Sequence, residues 1–168
     1  LGERPEQHVA MFDVIRVDKH PQFDAALLVL SEDAVEKLRS QSRGANVAES
    51  EVMPIKFNRV PIDGKQSEAL EGRPVEVAGY GDTQSSESGR FFASVKYAGI
   101  TDARPEFIAI EGNGVAGVCS GDSGGPLFAV NERGRPVLMG ILHGGEESCT
   151  GTDYMMRLDI IQDWIDLG

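Results

Sequence analysis

The chain has 168 residues, 40% hydrophobic and 26% charged, which suits one folded domain with a real core rather than a disordered segment. Lys and Arg number 16 against 27 Asp and Glu, a net charge of −11 spread along the chain, which argues against nucleic acid and anionic membrane surfaces as partners. No apolar run approaches the roughly 18 residues of a membrane span. The opening LGERPEQHVAMF has no signal-peptide pattern, so either the protein is cytosolic or the start of a longer product precedes it, and the motifs further along the chain favour the second.

Taken in chain order, residues 8–17 (HVAMFDVIRV) alternate in part through Val9, Met11 and Val14 and predict a strand. Residues 25–30 (AALLVL) form a short apolar run of buried-strand length. Residues 31–44 predict a helix, opened by Ser31 as its cap and closed by Gly44. Strands are then expected at 52–57, 73–81, 90–100, 106–112, 125–130 and 136–145, separated by Gly, Pro, Asn and Asp turns. The turn-rich stretch 58–74 reads as a crossing between two halves. Ile160, Ile161, Trp164 and Ile165 fall at helical spacing, so the chain ends in an amphipathic helix. Short strands about every ten residues with little helix indicate an all-β barrel or sandwich.

The chemistry concentrates in GVCSGDSGGPLF, residues 117–128, where Ser123 follows Asp122 and is boxed in by Gly121, Gly124 and Gly125. A nucleophilic serine needs a base for its proton, an orienter for that base, and donors for the oxyanion it creates. Gly121 lets the chain turn with no Cβ in the way, so that the Gly121 and Ser123 N–H groups form an oxyanion hole. Asp122 then points away from the nucleophile and calls for a buried cation. A flexible surface loop is the ordinary reading of a Ser/Gly/Asp cluster, and GDSGGP is too specific a string for it. The two cysteines, Cys119 and Cys149, are either unrelated thiols or one bridge. A bridge would tie the Ser123 loop to HGGEESCTG (143–151), contribute roughly 3 to 4 kcal/mol, and imply an oxidising compartment.

The run Cys119–Leu127 resembles the nucleophile motif of the trypsin/chymotrypsin serine endopeptidases, and further blocks match in the same order. HPQFDAALLVL (20–30) resembles the segment carrying the triad aspartate, which falls on Asp24. GRPVEVAGYG (72–81) is similar to the family's Gly-x-x-Val-x-Val-x-Gly-Trp-Gly strand, with Tyr80 in place of tryptophan. GILHGG (140–145) resembles Gly-Ile-Val-Ser-Trp-Gly, which lines the substrate channel, and DIIQDWI (159–165) resembles the closing helix. The resemblance implies an all-β fold of two antiparallel barrels, with the end of the first in residues 1–64, the whole second in 65–155, and a C-terminal helix in 156–168. It implies a secreted, periplasmic or extracellular endopeptidase that cleaves peptide or protein substrates through an acyl-enzyme on Ser123, with no cofactor or metal. It also implies a zymogen, activated when a freed amino terminus buries itself as an ion pair with Asp122. Leu1 lacks the sequence expected of that terminus.

One element departs from the pattern. The family's catalytic histidine lies in a Thr-Ala-Ala-His-Cys-type motif several tens of residues before the aspartate, and here 23 residues precede Asp24. His8 lacks the motif and His20 reads as a loop residue. His143 occupies a position where the family usually has a serine close to the triad aspartate, so a hydrogen bond that orients Asp24 is expected. The resemblance therefore implies a base from a segment outside this chain, either a cleaved companion amino-terminal chain of the same protease or a part truncated from it, and near-inertness of this chain alone. The alternative is an inactive homologue acting as a binding or scaffold protein. In the substrate pocket, where His143 of the channel-lining strand is also placed, Gly117 as floor, Val118 beside it and Gly145 as open wall favour a neutral or apolar side chain. Asp153, beside Thr152 on the far wall, is expected to face outward; an inward carboxylate would restore a basic preference.

Overall fold

The computed structural model describes residues 10–42, 55–85, 87, 89–131 and 133–168. Its first unit is an antiparallel pair, β1 (Val14–Lys19) and β2 (Ala26–Leu30), with Val14 opposite Leu30 and Lys19 opposite Ala26. The strand expected over 8–17 thus begins only at Val14; positions 8 and 9, His8 included, lie outside the described residues. The connecting loop is closed by the His20 N–H donating to the Ala25 carbonyl at 2.9 Å. Its shape is held by His20 Nδ1, which accepts from the Phe23 and Gln22 N–H groups at 3.0 and 3.2 Å.

Helix α1 (Ala34–Ser42) follows, and its cap is Asp33 rather than Ser31. Asp33 Oδ1 accepts from the Glu36 N–H at 2.9 Å, whereas the Ser31 N–H is already used on the Asp13 carbonyl, extending the β1–β2 ladder. Gly44 lies outside the described residues. Of the strand expected at 52–57, residues 52–54 are likewise outside them, and Phe57 forms an isolated bridge to Leu138.

The crossing over 58–74 contains a helix that composition concealed. In α2 (Gly64–Leu70) Asp63 accepts from the Gln66 N–H while the Gln66 side chain accepts from the Asp63 N–H. This reciprocal capping box was the available signal, hidden by the surrounding Gly and Pro. A buried hydrogen bond of 3.0 Å between Ser67 and the Tyr97 hydroxyl fastens α2 to the barrel.

That barrel comprises β3 (Pro74–Gly79), β4 (Phe91–Thr101), β5 (Arg104–Glu111), β6 (Pro126–Val130), β7 (Pro136–Gly145) and β8 (Thr152–Arg157). It closes in the antiparallel order β3-β4-β5-β8-β7-β6, which leaves no strand edge open. Val75, Val77, Val95, Tyr97, Ile108, Ile110, Leu127, Met139 and Met155 fill its interior. Strand β8 was not anticipated, because Asp153 and Arg157 interrupt its apolar pattern, yet both are buried. Arg157 pairs with Asp159 at 2.6 Å and donates to the carbonyls of Ile62 and Pro105, while Asp159 accepts from the Ile62 N–H at 2.9 Å. This hydrogen-bonded ion pair locks the crossing segment to the end of β8. The chain closes with α3 (Gln162–Leu167), whose Trp164 and Ile165 pack with Phe23, Ala25, Phe107 and Leu158. The fold is all-β with a C-terminal helix, as the sequence pattern implies, and that helix wedges the Asp24 hairpin against the barrel.

Candidate active site

Between β5 and β6 the chain makes two consecutive tight turns. The Asp122 N–H donates to the Cys119 carbonyl at 3.0 Å, and the Gly125 N–H donates to the Asp122 carbonyl at 2.8 Å. Gly121 and Gly124 adopt φ of 94° and 78°, the left-handed region that glycine enters without a Cβ penalty. Ser123 sits exposed on the second turn. Neither the Gly121 nor the Ser123 N–H has a protein acceptor among the described residues, so both donors are available to a ligand. The loop is fixed from two sides: the Gly124 N–H donates to the Leu142 carbonyl at 2.9 Å, and Cys119 is bridged to Cys149.

Asp122 lies beneath this turn. Its Oδ1 accepts from the Gly81 N–H at 2.7 Å and its Oδ2 from the Cys119 N–H at 2.9 Å. A Cβ on Gly79 or Gly81 would overlap the carboxylate, so the two glycines that flank Tyr80 exist to make room for it. Backbone amides, rather than the buried cation expected from the residue type, occupy both oxygens. Beside Asp122 lies a cavity of about 320 Å³ whose lining includes Val77, Phe91, Val115 and Val118. Residues 1–9 lie outside the described residues.

Asp24 is at the tip of the β1–β2 hairpin, its side chain 70% exposed, and its Oδ2 lies 2.7 Å from His143 Nδ1. The His143 ring rests on Phe107, with ring centres 4.6 Å apart. His143 follows Leu142 directly, so β7 holds the Asp24 carboxylate with one residue and the Ser123 loop with the next. His20 is elsewhere, its ring edge-on to Trp164 at 4.9 Å and its Nδ1 engaged by backbone.

Of the five residues expected in the substrate pocket, Gly117, Val118 and Gly145 lie against Asp153, whereas His143 is turned to Asp24. Asp153 pairs with Gly145 across β7 and β8, and a Cβ on Gly145 would overlap its carboxylate. A Cβ on Gly117 would lie 3.3 Å from Asp153 Oδ2. The outward orientation expected of Asp153 is therefore wrong: the residue is 2% exposed, because β8 lies between Ile110 of β5 and Gly145 of β7 and the missing side chain of Gly145 leaves room for its carboxylate.

The chain matches the family model Trypsin over residues 2–165. It belongs to the trypsin family. Among solved structures it is similar to a mutant of human heparin binding protein (CAP37), with a TM-score of 0.66 and 22% sequence identity, over 94% of this chain and 67% of that one. Likeness at that identity speaks for the fold. The comparison with curated proteins gave no match. Among the described residues no helix of this trypsin-family chain is long and apolar enough to cross a membrane.

The electrostatics of the pocket were not legible in the motif. Burial pushes the Asp153 carboxyl up to about 6; its hydrogen bond from Val118 acts against that, and the charges of Glu146, Glu111 and Asp122 add to it. Glu146 lies in the 143–151 loop that the possible disulfide connected with the Ser123 turn, whereas Glu111, at the end of β5, had no such connection in the sequence. Nothing in its local sequence marks Glu111, since only the pairing of β5 with β8 brings it near Asp153.

Proposed function

We propose that this chain is the nucleophile-bearing part of a secreted serine endopeptidase. The observation that carries the reading is the joining of the Ser123 turn and Asp24 by adjacent residues of one strand, Leu142 and His143. Ser123 Oγ attacks the substrate carbonyl and gives its proton to a histidine; the peptide C–N bond breaks as that histidine protonates the leaving amine. Water then releases the acyl group by the same route in reverse. The Gly121 and Ser123 N–H groups stabilise the oxyanion in both steps, and Asp24 orients the histidine, itself steadied by His143.

That histidine is assigned to an amino-terminal segment of the same protease, carried outside this chain. The exposure of Asp24 supports this, as do Ile15, Val17 and Leu28 on β1 and β2, 67%, 50% and 58% exposed, an apolar surface suited to further strands. The cavity beside Asp122 suits a freed amino terminus, whose ammonium would compete with the Gly81 and Cys119 donors for the carboxylate. The disulfide supports an extracytoplasmic location. Heparin is not carried over as a ligand, because a chain of net charge −11 repels a polyanion.

The test is intact mass spectrometry of the protein from its native source after exposure to a fluorophosphonate, which labels only a serine with an assembled base and oxyanion hole. One adduct on Ser123, together with a histidine-bearing companion, is expected. A folded protein without an adduct would overturn the enzyme reading in favour of an inactive homologue that binds or scaffolds.

A further inference from the structure

A second cavity, of about 510 Å³, lies where α2 and the segment before it meet β6 and β7. It shares no lining residue with the cavity beside Asp122, and Ser123, Asp24 and His143 take no part in it. Val60, Ile62, Leu70, Val137 and Met139 give it apolar walls, Ile62 and Met139 being buried and Val60 exposed at the rim. Its polar lining is Asn58, Gln66, Asn131 and Arg73, and among the described residues no carboxylate joins them, in a chain with 27 Asp and Glu.

The amide oxygens of that lining are already engaged. Asn58 Oδ1 accepts from the Val60 N–H at 3.2 Å, Gln66 Oε1 from the Asp63 N–H at 3.0 Å, and Asn131 Oδ1 from the Arg133 and Arg135 N–H groups at 2.9 and 3.0 Å. Asn58 Nδ2 is also used, on the Val60 carbonyl at 2.8 Å. What remains for a ligand is donors: the amide NH2 groups of Gln66 and Asn131, and the Arg73 guanidinium. The Arg73 backbone is pinned, its N–H donating to the Leu70 carbonyl at 2.9 Å and its carbonyl accepting from the Tyr97 N–H at 3.0 Å. Its guanidinium has no ion-pair partner among the described residues.

We propose that this cavity binds a small amphiphilic carboxylate, its hydrocarbon body against the Ile62 and Met139 walls and its head group on Arg73. A lining that offers donors without free acceptors selects an acceptor, and a cation without an acid beside it selects an anion. One guanidinium and two neutral amides match the single charge of a carboxylate, which a planar guanidinium holds through two parallel hydrogen bonds. The volume is that of a small-molecule site. This binding is independent of the peptidase chemistry at Ser123.

The test is calorimetry at pH 8 with octanoate, octanol and octylammonium, which share one hydrocarbon body. Octanoate is expected to bind about 10-fold more tightly than octanol, and octylammonium most weakly of the three. From hexanoate to octanoate the affinity should rise about fourfold per added methylene. Arg73→Gln is expected to weaken octanoate about 10-fold and leave octanol unchanged. Val60→Glu, at an exposed position, sets a like charge at the rim and should weaken octanoate but not octanol. Octanoate binding that is absent, matched by octanol and octylammonium, or indifferent to Arg73→Gln overturns the proposal; the comparison of the three ligands needs no variant to fold. Arg73-dependent self-association in sedimentation, with no octanoate binding, would overturn it in favour of a second copy of the chain on this face.

Discussion

The barrel and the β1–β2 hairpin use the same kinds of residue and treat them oppositely. Ile108 and Ile110 in β5 are 0% exposed, while Ile15 in β1 is 67% exposed and Leu28 in β2 is 58% exposed. Both regions are twisted antiparallel strands with branched side chains, so composition does not separate them. The difference is closure: six strands joined edge to edge enclose an interior, whereas a two-stranded pair has none and is marginal alone. The hairpin keeps its place through its tip, where Phe23 and Ala25 pack with Trp164 and Asp24 meets His143. Half of the candidate site thus stands on a rigid support and half on one held by a few contacts.

The comparison breaks first, and by the largest margin, if the two halves do not act together. In the assembled protease Ser123→Ala is expected to lower kcat by on the order of a million-fold and Asp24→Asn by on the order of ten-thousand-fold. The double variant should be no worse than Ser123→Ala, as for residues acting in one step. Steady-state kinetics of the three variants decide this, and additive losses would separate Asp24 from the nucleophile.

Stability sharpens the contrast. Asp159→Ala leaves Arg157 buried without its partner and is expected to cost about 3 to 5 kcal/mol in urea unfolding. Reducing the Cys119–Cys149 bridge, which spans 30 residues, should cost roughly 3 to 4 kcal/mol in the same assay. Asp153→Asn should act in the opposite direction. Its carboxyl is held up at about 6 against an ordinary 3.8, so the folded state binds the proton more tightly than the unfolded one. The penalty for ionising it is absent below the ordinary value and fully present above the raised one. The variant is therefore expected to be about 2 to 3 kcal/mol more stable at pH 8 and no more stable at pH 4. Smallest of all, Leu28→Thr should change the stability of this chain by less than about 0.5 kcal/mol, since the side chain is already in water. A large loss would mean that the hairpin face is covered in solution.

Much of the site was legible because it is local. A nucleophile turn needs glycine at Gly121 and Gly124 for their positive φ, and a six-residue string records that need directly. Asp24 has no such local signal; the resemblance of residues 20–30 singled it out, and the structure places it in the short loop between β1 and β2. Helix α2 was legible in principle from Asp63 and Gln66, but the turn residues around it masked the capping pattern. Strand β8 was not, because its inward Asp153 and Arg157 contradict the apolar pattern of a buried strand, and their partners, Gly145 and Asp159 with Ile62, are fixed by pairing and packing.

By itself the sequence determined an all-β chain ending in a helix, a serine in a glycine-shaped turn, and a resemblance that named its aspartate. Those are properties of backbone conformation and short-range spacing, which neighbouring residues control. Tertiary structure alone decided that Asp153 faces inward, that two amides hold Asp122, and that Glu111 and Glu146 charge the pocket. The pairing of Asp153 with Gly145, the reach of the Gly81 N–H to Asp122 and the approach of Glu111 depend on which distant strand lies alongside, and barrel closure sets that through the burial of inward side chains.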